Sequence, residues 1–183
     1  MMRRIVWSEY MSLDGVVDEP GEWSIPYFSD DLAQYKSDEL FASDALLLGR
    51  ITYEGFAAAW PTMEELEGDF AVRMNTLPKY VASTTLEAAE WNNSTVIREN
   101  VPGEVSKLKQ QAGDDILIGG SGTLARTLME HDLIDEIRML VHPIALGTGK
   151  RLFEGAGAPV ALKLVDTRSF DSGVVALTYH AAD

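Results

Sequence analysis

Asp115-Ile116-Leu117-Ile118-Gly119-Gly120-Ser121-Gly122-Thr123-Leu124 decides the fold. A short apolar run meets glycines, and a helical pattern starts at once, with Leu124 and Leu128 four residues apart. A run this short and this apolar predicts a strand buried on both faces, as in the middle of a parallel sheet. The glycines let backbone approach a phosphate, and the free N–H groups of a first helical turn point at it. Gly120-x-Gly122-x-x-Ala125 also fits the dinucleotide fingerprint. A strand-to-helix turn uses glycine for steric reasons too, so this stretch alone leaves both readings open.

Working outward, Leu46-Leu47-Leu48-Gly49-Arg50-Ile51-Thr52-Tyr53-Glu54 repeats the pattern. Arg50 adds a cation and Thr52 a hydroxyl where a phosphate would sit; the plainer reading is an exposed arginine beside a helix start. Tyr80-Val81-Ala82-Ser83-Thr84-Thr85 gathers hydroxyls just past a strand. Open α/β sheets bind ligands at such strand ends, although a Ser/Thr turn explains the residues as well. Three such strand ends in one chain carry more weight than any one.

The remaining pattern predicts strands over 3–11, 45–48, 79–82, 96–97, 116–118 and 134–141. Helices are predicted over 30–42 (capped by Ser29), 51–58, 62–74, 103–112 and 121–131, with a loop over 18–28. Residues 162–170 and 174–180 flank Asp171-Ser172-Gly173 and read as a hairpin. Alternating strands and helices predict an α/β fold with a mostly parallel sheet, helices on both faces and an antiparallel C-terminal hairpin, in one domain over 1–183.

Composition narrows the chemistry. The 183 residues hold no cysteine, which excludes disulfides, thiolate metal sites and thiol catalysis and suits a cytoplasmic setting. The net charge of −14, from 15 basic and 29 acidic residues, repels nucleic acid. Any phosphate site must therefore be local, made of N–H groups and a few placed cations. No apolar run is long enough for a membrane span. His131, His142 and His180 are too scattered to predict a metal site, and Gly147-Thr148-Gly149-Lys150 lacks the rest of a P-loop. Glu64-Glu65-Leu66-Glu67-Gly68-Asp69 reads as a solvated helix face. A Rossmann dehydrogenase would place its glycine turn early, whereas here too little chain follows 119–122 for the rest of such a sheet.

Taken in order, Gly49-Arg50-x-Thr52-Tyr53-Glu54, Ser83-Thr84 and Ile118-Gly119-Gly120 resemble dihydrofolate reductases. Ser12-Leu13-Asp14-Gly15, Leu133-Ile134-Asp135-Glu136 and the run from His142 to Phe153 more closely resemble the reductase domain of riboflavin biosynthesis, the RibD C-terminal family. The resemblance covers nearly the whole chain. It implies a three-layer α/β/α dihydrofolate-reductase-like fold and an NADPH-dependent reductase that passes hydride to a heterocyclic small molecule. The substrate it implies first is 5-amino-6-(5-phosphoribosylamino)uracil; the alternatives are a dihydrofolate or pterin, or a non-catalytic nucleotide-binding domain. It also implies a homodimer.

By the same resemblance, Gly49, Arg50 and Thr52 hold the phosphates of NADPH, and Ser83 and Thr84 lie by the adenosine end. Gly119, Gly120, Ser121, Gly122 and Thr123 cradle the pyrophosphate and nicotinamide ribose. Thr84-Thr85 stands where dihydrofolate reductases often carry an arginine, so the 2′-phosphate leans on Arg50 and hydroxyls. Asp31 resembles the helix carboxylate that grips a pterin, although an acid there also suits the helix dipole. Asp14 falls beside the expected nicotinamide, in a turn that Asp-Gly explains by itself. Trp23, Tyr27 and Phe28 offer an aromatic wall for a flat ring, or simply packing.

Overall fold

Eight strands form one sheet: β1 Ile5–Ser12, β2 Ser43–Gly49, β3 Lys79–Ala82, β4 Ser94–Ile97, β5 Asp115–Gly119, β6 Glu136–His142, β7 Leu162–Ser169 and β8 Val175–Ala181. Their order in space is β4-β3-β2-β5-β1-β6-β8-β7. The computed structural model describes residues 2–155 and 157–182. Pairing is parallel from β4 through to β6, and β8 runs antiparallel to both β6 and β7. The helices are α1 Pro20–Trp23, α2 Asp30–Phe41, α3 Arg50–Ala59, α4 Glu64–Glu67, α5 Asp69–Thr76, α6 Val101–Gln110 and α7 Gly122–Met129.

Alternation along the strands sorts the core into two layers. Ile5, Trp7, Leu47, Ile116 and Ile118 pack against Val105 and Leu108 of α6 and Leu124, Ala125 and Leu128 of α7. Val6, Leu46, Leu48, Val81 and Leu117 face the other way, onto Leu40 of α2, Tyr53 of α3 and Met74 of α5. Each inner strand is thus buried on both faces, which is why it reads as a continuous apolar run. Burying each such side chain contributes about 1.5–3 kcal/mol.

Three local expectations change. The loop over 18–28 contains α1 and a 3-10 turn over Ile25–Tyr27, with Pro20 and Pro26 placed at helix starts where a missing N–H costs nothing. The helix expected over 62–74 is broken at Gly68, whose φ of 55° no helix continues, into α4 and α5. Ser29 precedes α2 but does not cap it; its hydroxyl turns to the carboxylate of Asp31.

The strands part at their C-terminal ends. β1 and β5 stay paired up to Ser8 and Gly119, and the Gly120 N–H closes the pairing on the Ser8 carbonyl at 2.9 Å. β2 and β5 separate after Leu46 and Leu117, while β2 runs on to Gly49. The sheet therefore opens on the side where the three glycine- and hydroxyl-bearing turns emerge.

Candidate active site

The opening is a groove of about 1350 Å³. One hydrogen bond sets its geometry: the Gly49 N–H donates to the Ser121 hydroxyl at 3.0 Å, and that hydroxyl donates to the Gly119 carbonyl at 3.1 Å. Two turns far apart in sequence are thereby fixed side by side. Each leads directly into a helix, so the free N–H groups of α3 and α7 start from the same place.

The glycines lie close to their neighbours. A Cβ on Gly119 would lie 3.5 Å from the Phe56 ring, and one on Gly120 would lie 3.5 Å from the Thr52 hydroxyl. One on Gly122 would lie 3.0 Å from Leu152. Gly120 also has a φ of 55°, and Ser121 itself sits in the left-handed region. Gly49, Arg50, Thr52, Ser83, Thr84, Gly119, Gly120, Ser121, Gly122 and Thr123 all line the one groove. Arg98, Arg126 and Lys150 line the groove with Arg50. Arg50 pairs with Glu54 at 3.0 Å across two exposed side chains, a weak contact that leaves the guanidinium free to swing to an anion. The Lys150 ammonium donates to the Thr123 hydroxyl at 3.2 Å. The Ser83 hydroxyl accepts from the Leu86 N–H at 2.9 Å and so partly serves its own turn. Two helix N-termini, with Arg50, Arg98, Arg126 and Lys150 on the same groove, fit the phosphates of a dinucleotide.

The expected catalytic acids lie elsewhere. Asp31 does not line the groove; its carboxylate takes the Ser29 hydroxyl, its neighbour Leu32's N–H at 2.9 Å and the Asp171 N–H at 2.9 Å. It ties α2 to the C-terminal hairpin, and those donors, Ser29 first, hold its pKa down. Asp14 takes the Ser12 hydroxyl at 2.7 Å and the N–H groups of Leu146 and Gly147 at 3.0 and 2.8 Å. The Ser12 hydroxyl and then those two N–H groups hold it well below the usual carboxylate range. Both carboxylates brace loops. The aromatic wall also comes apart. Trp23 and Tyr27 pack around the buried His142 ring, at centroid distances of 5.2 and 6.1 Å, and the Trp23 indole N–H donates to the Asp18 carbonyl. Phe28 alone of the three lines the groove, exposed on one side. Among the described residues no cluster of three or more His, Asp or Glu is placed to hold a metal, and no helix is long and apolar enough to cross a membrane.

Residues 3–176 match the family model of the RibD C-terminal domain. The chain belongs to that family. It is 34% identical over 181 residues to the uncharacterized protein YyaP of Bacillus subtilis strain 168, covering 97% of this chain and 95% of that one. A putative riboflavin biosynthesis protein from Shewanella sp. PV-4 shares the fold over the full length of both chains, with a TM-score of 0.78 at 19% identity. Dihydrofolate reductase from Enterococcus faecalis, solved with NADP(H), does so with a TM-score of 0.65 at 18% identity, again over the whole of both chains. The fold is thus the dihydrofolate-reductase-like α/β fold that the strand order describes.

In this RibD C-terminal domain, the central strand brings to the groove a set of residues that the glycine motifs do not point to. Ser8, Glu9 and Tyr10 of β1 line it, with Lys36 and Glu39 of α2. The Lys36 ammonium donates to the Ser8 hydroxyl at 2.8 Å and pairs with Glu39, which in turn pairs with Arg138 of β6 at 3.2 Å. Burial opposes the charge on Lys36, but Glu39 and Tyr10 outweigh it and hold its pKa above the ordinary value. Glu9 is only 4% exposed and makes no ion pair among the described residues. Burial pushes its carboxyl up to about 8; Lys36, the Trp7 indole and the Tyr10 N–H pull it back only in part. The signal was present in the sequence: two polar residues, Ser8 and Glu9, interrupt an otherwise apolar central strand. A buried carboxyl on a central strand, with no ion pair among the described residues, has no evident structural use there.

Proposed function

We propose that this protein is an NADPH-dependent reductase acting on a heterocycle of the pyrimidine or pterin type. The observation that carries the reading is the Gly49–Ser121 hydrogen bond, which holds two helix-starting turns side by side at the C-terminal ends of parallel strands, where a dinucleotide's phosphates would sit. Family membership and the fold shared with reductases support it. When bound, NADPH supplies a hydride for the substrate. The chain's own part is to bind, orient and exclude water. The first turns of α3 and α7, which follow Gly49 and Ser121, would take the pyrophosphate through their backbone N–H groups, with Lys150 and Arg126 on the same groove. Arg50, with Ser83 and Thr84, would take the 2′-phosphate side. The half of the groove between β1 and α2, lined by Tyr10, Phe28, Gln34, Lys36 and Ser37, would hold the heterocycle.

Anaerobic fluorescence titration with NADPH and NADH, followed by turnover on 5-amino-6-(5-phosphoribosylamino)uracil and dihydrofolate, tests this directly. Binding of NADPH with turnover of one of these is expected; binding of neither nucleotide would overturn the reading. Arg50→Ala is expected to weaken NADPH about 10- to 100-fold, the worth of a charge-assisted hydrogen bond, and to leave NADH nearly unchanged. Equal weakening of both would move the 2′-phosphate away from Arg50.

A further inference from the structure

Reduction of a C=N or C=O bond adds a hydride to carbon and a proton to the nitrogen or oxygen. The dihydronicotinamide supplies only the first. Asp14 and Asp31 are held charged by hydrogen-bond donors outside the groove, so neither has a proton to give. We propose that Glu9 is the acid that delivers this proton, an inference that rests on the reductase reading above.

The placement argues for it. Glu9 is the first residue of β1 beyond the point where β1 and β5 part. One carboxyl oxygen lies 3.8 Å from where a Cβ on Gly120 would stand, and the other lies 3.7 Å from the same position on Gly122. It therefore borders the glycine turn that cradles the nucleotide. On its other side lie Lys36 and the heterocycle half of the groove. With the pyrophosphate on that turn and the heterocycle beside Lys36, this carboxyl would stand between the two.

The surroundings keep it protonated. Lys36 and Glu39 face the groove from α2, and Lys36 is already neutralised by Glu39. Tyr10 flanks it on β1, Asp18 lies on the loop after β1, and Lys150 approaches from the segment after β6. The turns before α3 and α7 bring uncharged Thr52, Gly120 and Gly122 closest, with Arg50 and Arg126 elsewhere on the same groove. No cation bonds directly to Glu9 among the described residues, so burial dominates and the carboxyl titrates at about 8. An acid with that value carries its proton at neutral pH and gives it up readily, as general-acid catalysis requires. In the step, the Glu9 O–H bond breaks as the substrate N–H or O–H bond forms. The hydride's electron pair makes the new C–H bond, the π pair moves to the heteroatom, and the Glu9 carboxylate then takes a proton from water.

The test has two readouts. In the protein without nucleotide, the infrared difference between wild type and Glu9→Gln should contain a protonated-carboxyl band at pH 6.5 that fades as the pH passes about 8. In single-turnover reduction with bound NADPH, Glu9→Gln should slow hydride transfer by about 10²- to 10⁴-fold, leave NADPH affinity unchanged and remove the fall in rate above pH 8. Glu9→Asp, which keeps the acid, should restore part of the rate together with its pH dependence. Absence of the infrared band overturns the proposal. So does a Glu9→Gln protein that binds NADPH and keeps the wild-type rate and pH profile, and in that case the reductase reading stands. A wild type that binds neither nucleotide overturns the reductase reading, and the role of Glu9 with it.

Discussion

Glu9 and Asp14 lie on one short stretch of chain and are opposite kinds of acid. Asp14 stands in the turn after β1, where a hydroxyl and two backbone N–H groups converge on it and keep it charged. Glu9 stands on β1 itself, inside the groove, where burial keeps it uncharged near neutral pH. Asp31 repeats the first case at the start of α2. Glu39 is a third case, buried like Glu9 but paired with Lys36 and Arg138. What separates these acids is the supply of donors around each one. Exposure and sequence motif do not sort them, since the conspicuous Ser-Leu-Asp-Gly acid braces a loop and the inconspicuous strand acid faces the groove.

The largest effect expected from this comparison is at Glu39. Glu39→Gln leaves Lys36 and Arg138 without their shared anion, and denaturant unfolding should show a loss of about 3–5 kcal/mol. A loss under about 1 kcal/mol would mean that the cations find other partners, and Glu39 would no longer contrast with Glu9. Next comes Glu9 itself. Its folded pKa is raised, so its contribution to stability is full below the ordinary carboxyl range and is lost as the pH rises through about 8. Wild type should therefore lose stability relative to Glu9→Gln by about 1.4 kcal/mol for each pH unit across that window. Urea melts of the two proteins from pH 4 to pH 9 should diverge; parallel curves would mean that the carboxyl is charged throughout. The smallest effects belong to the loop acids. Asp31→Asn and Asp14→Asn should lower the melting midpoint and leave turnover unchanged. Their folded pKa values are depressed, so the stability they supply is present at neutral pH and lost as the pH falls below the ordinary carboxyl range. A large fall in turnover from Asp31→Asn, without loss of stability, would return Asp31 to the chemistry.

The architecture was legible in the sequence because burial on both faces leaves a plain mark. Leu46-Leu47-Leu48 and Ile116-Leu117-Ile118 are internal parallel strands and read as nothing else. The glycine turns were legible for a related reason, since Gly120 adopts a φ of 55° and Gly122 packs closely on Leu152. The uses of the acids were not legible, because they depend on long-range partners. The N–H that fixes Asp31 belongs to Asp171, and those that fix Asp14 belong to Leu146 and Gly147. Trp23 and Tyr27 likewise find His142 on a strand far along the chain. No local pattern predicts which of two carboxylates will meet a donor. Glu9 was missed as well, although a carboxyl in a largely apolar strand was a signal that could have found it.

The Gly49–Ser121 hydrogen bond has a consequence for how the protein reaches its working form. It joins residues 72 positions apart, across two separate strand-to-helix crossovers. That bond can form only when both crossovers have docked, since each supplies one of its partners. The groove is thus absent from any intermediate in which only one of them has formed. A nucleotide that bridges the two turns would then select for the finished molecule and draw the folding equilibrium toward it by mass action.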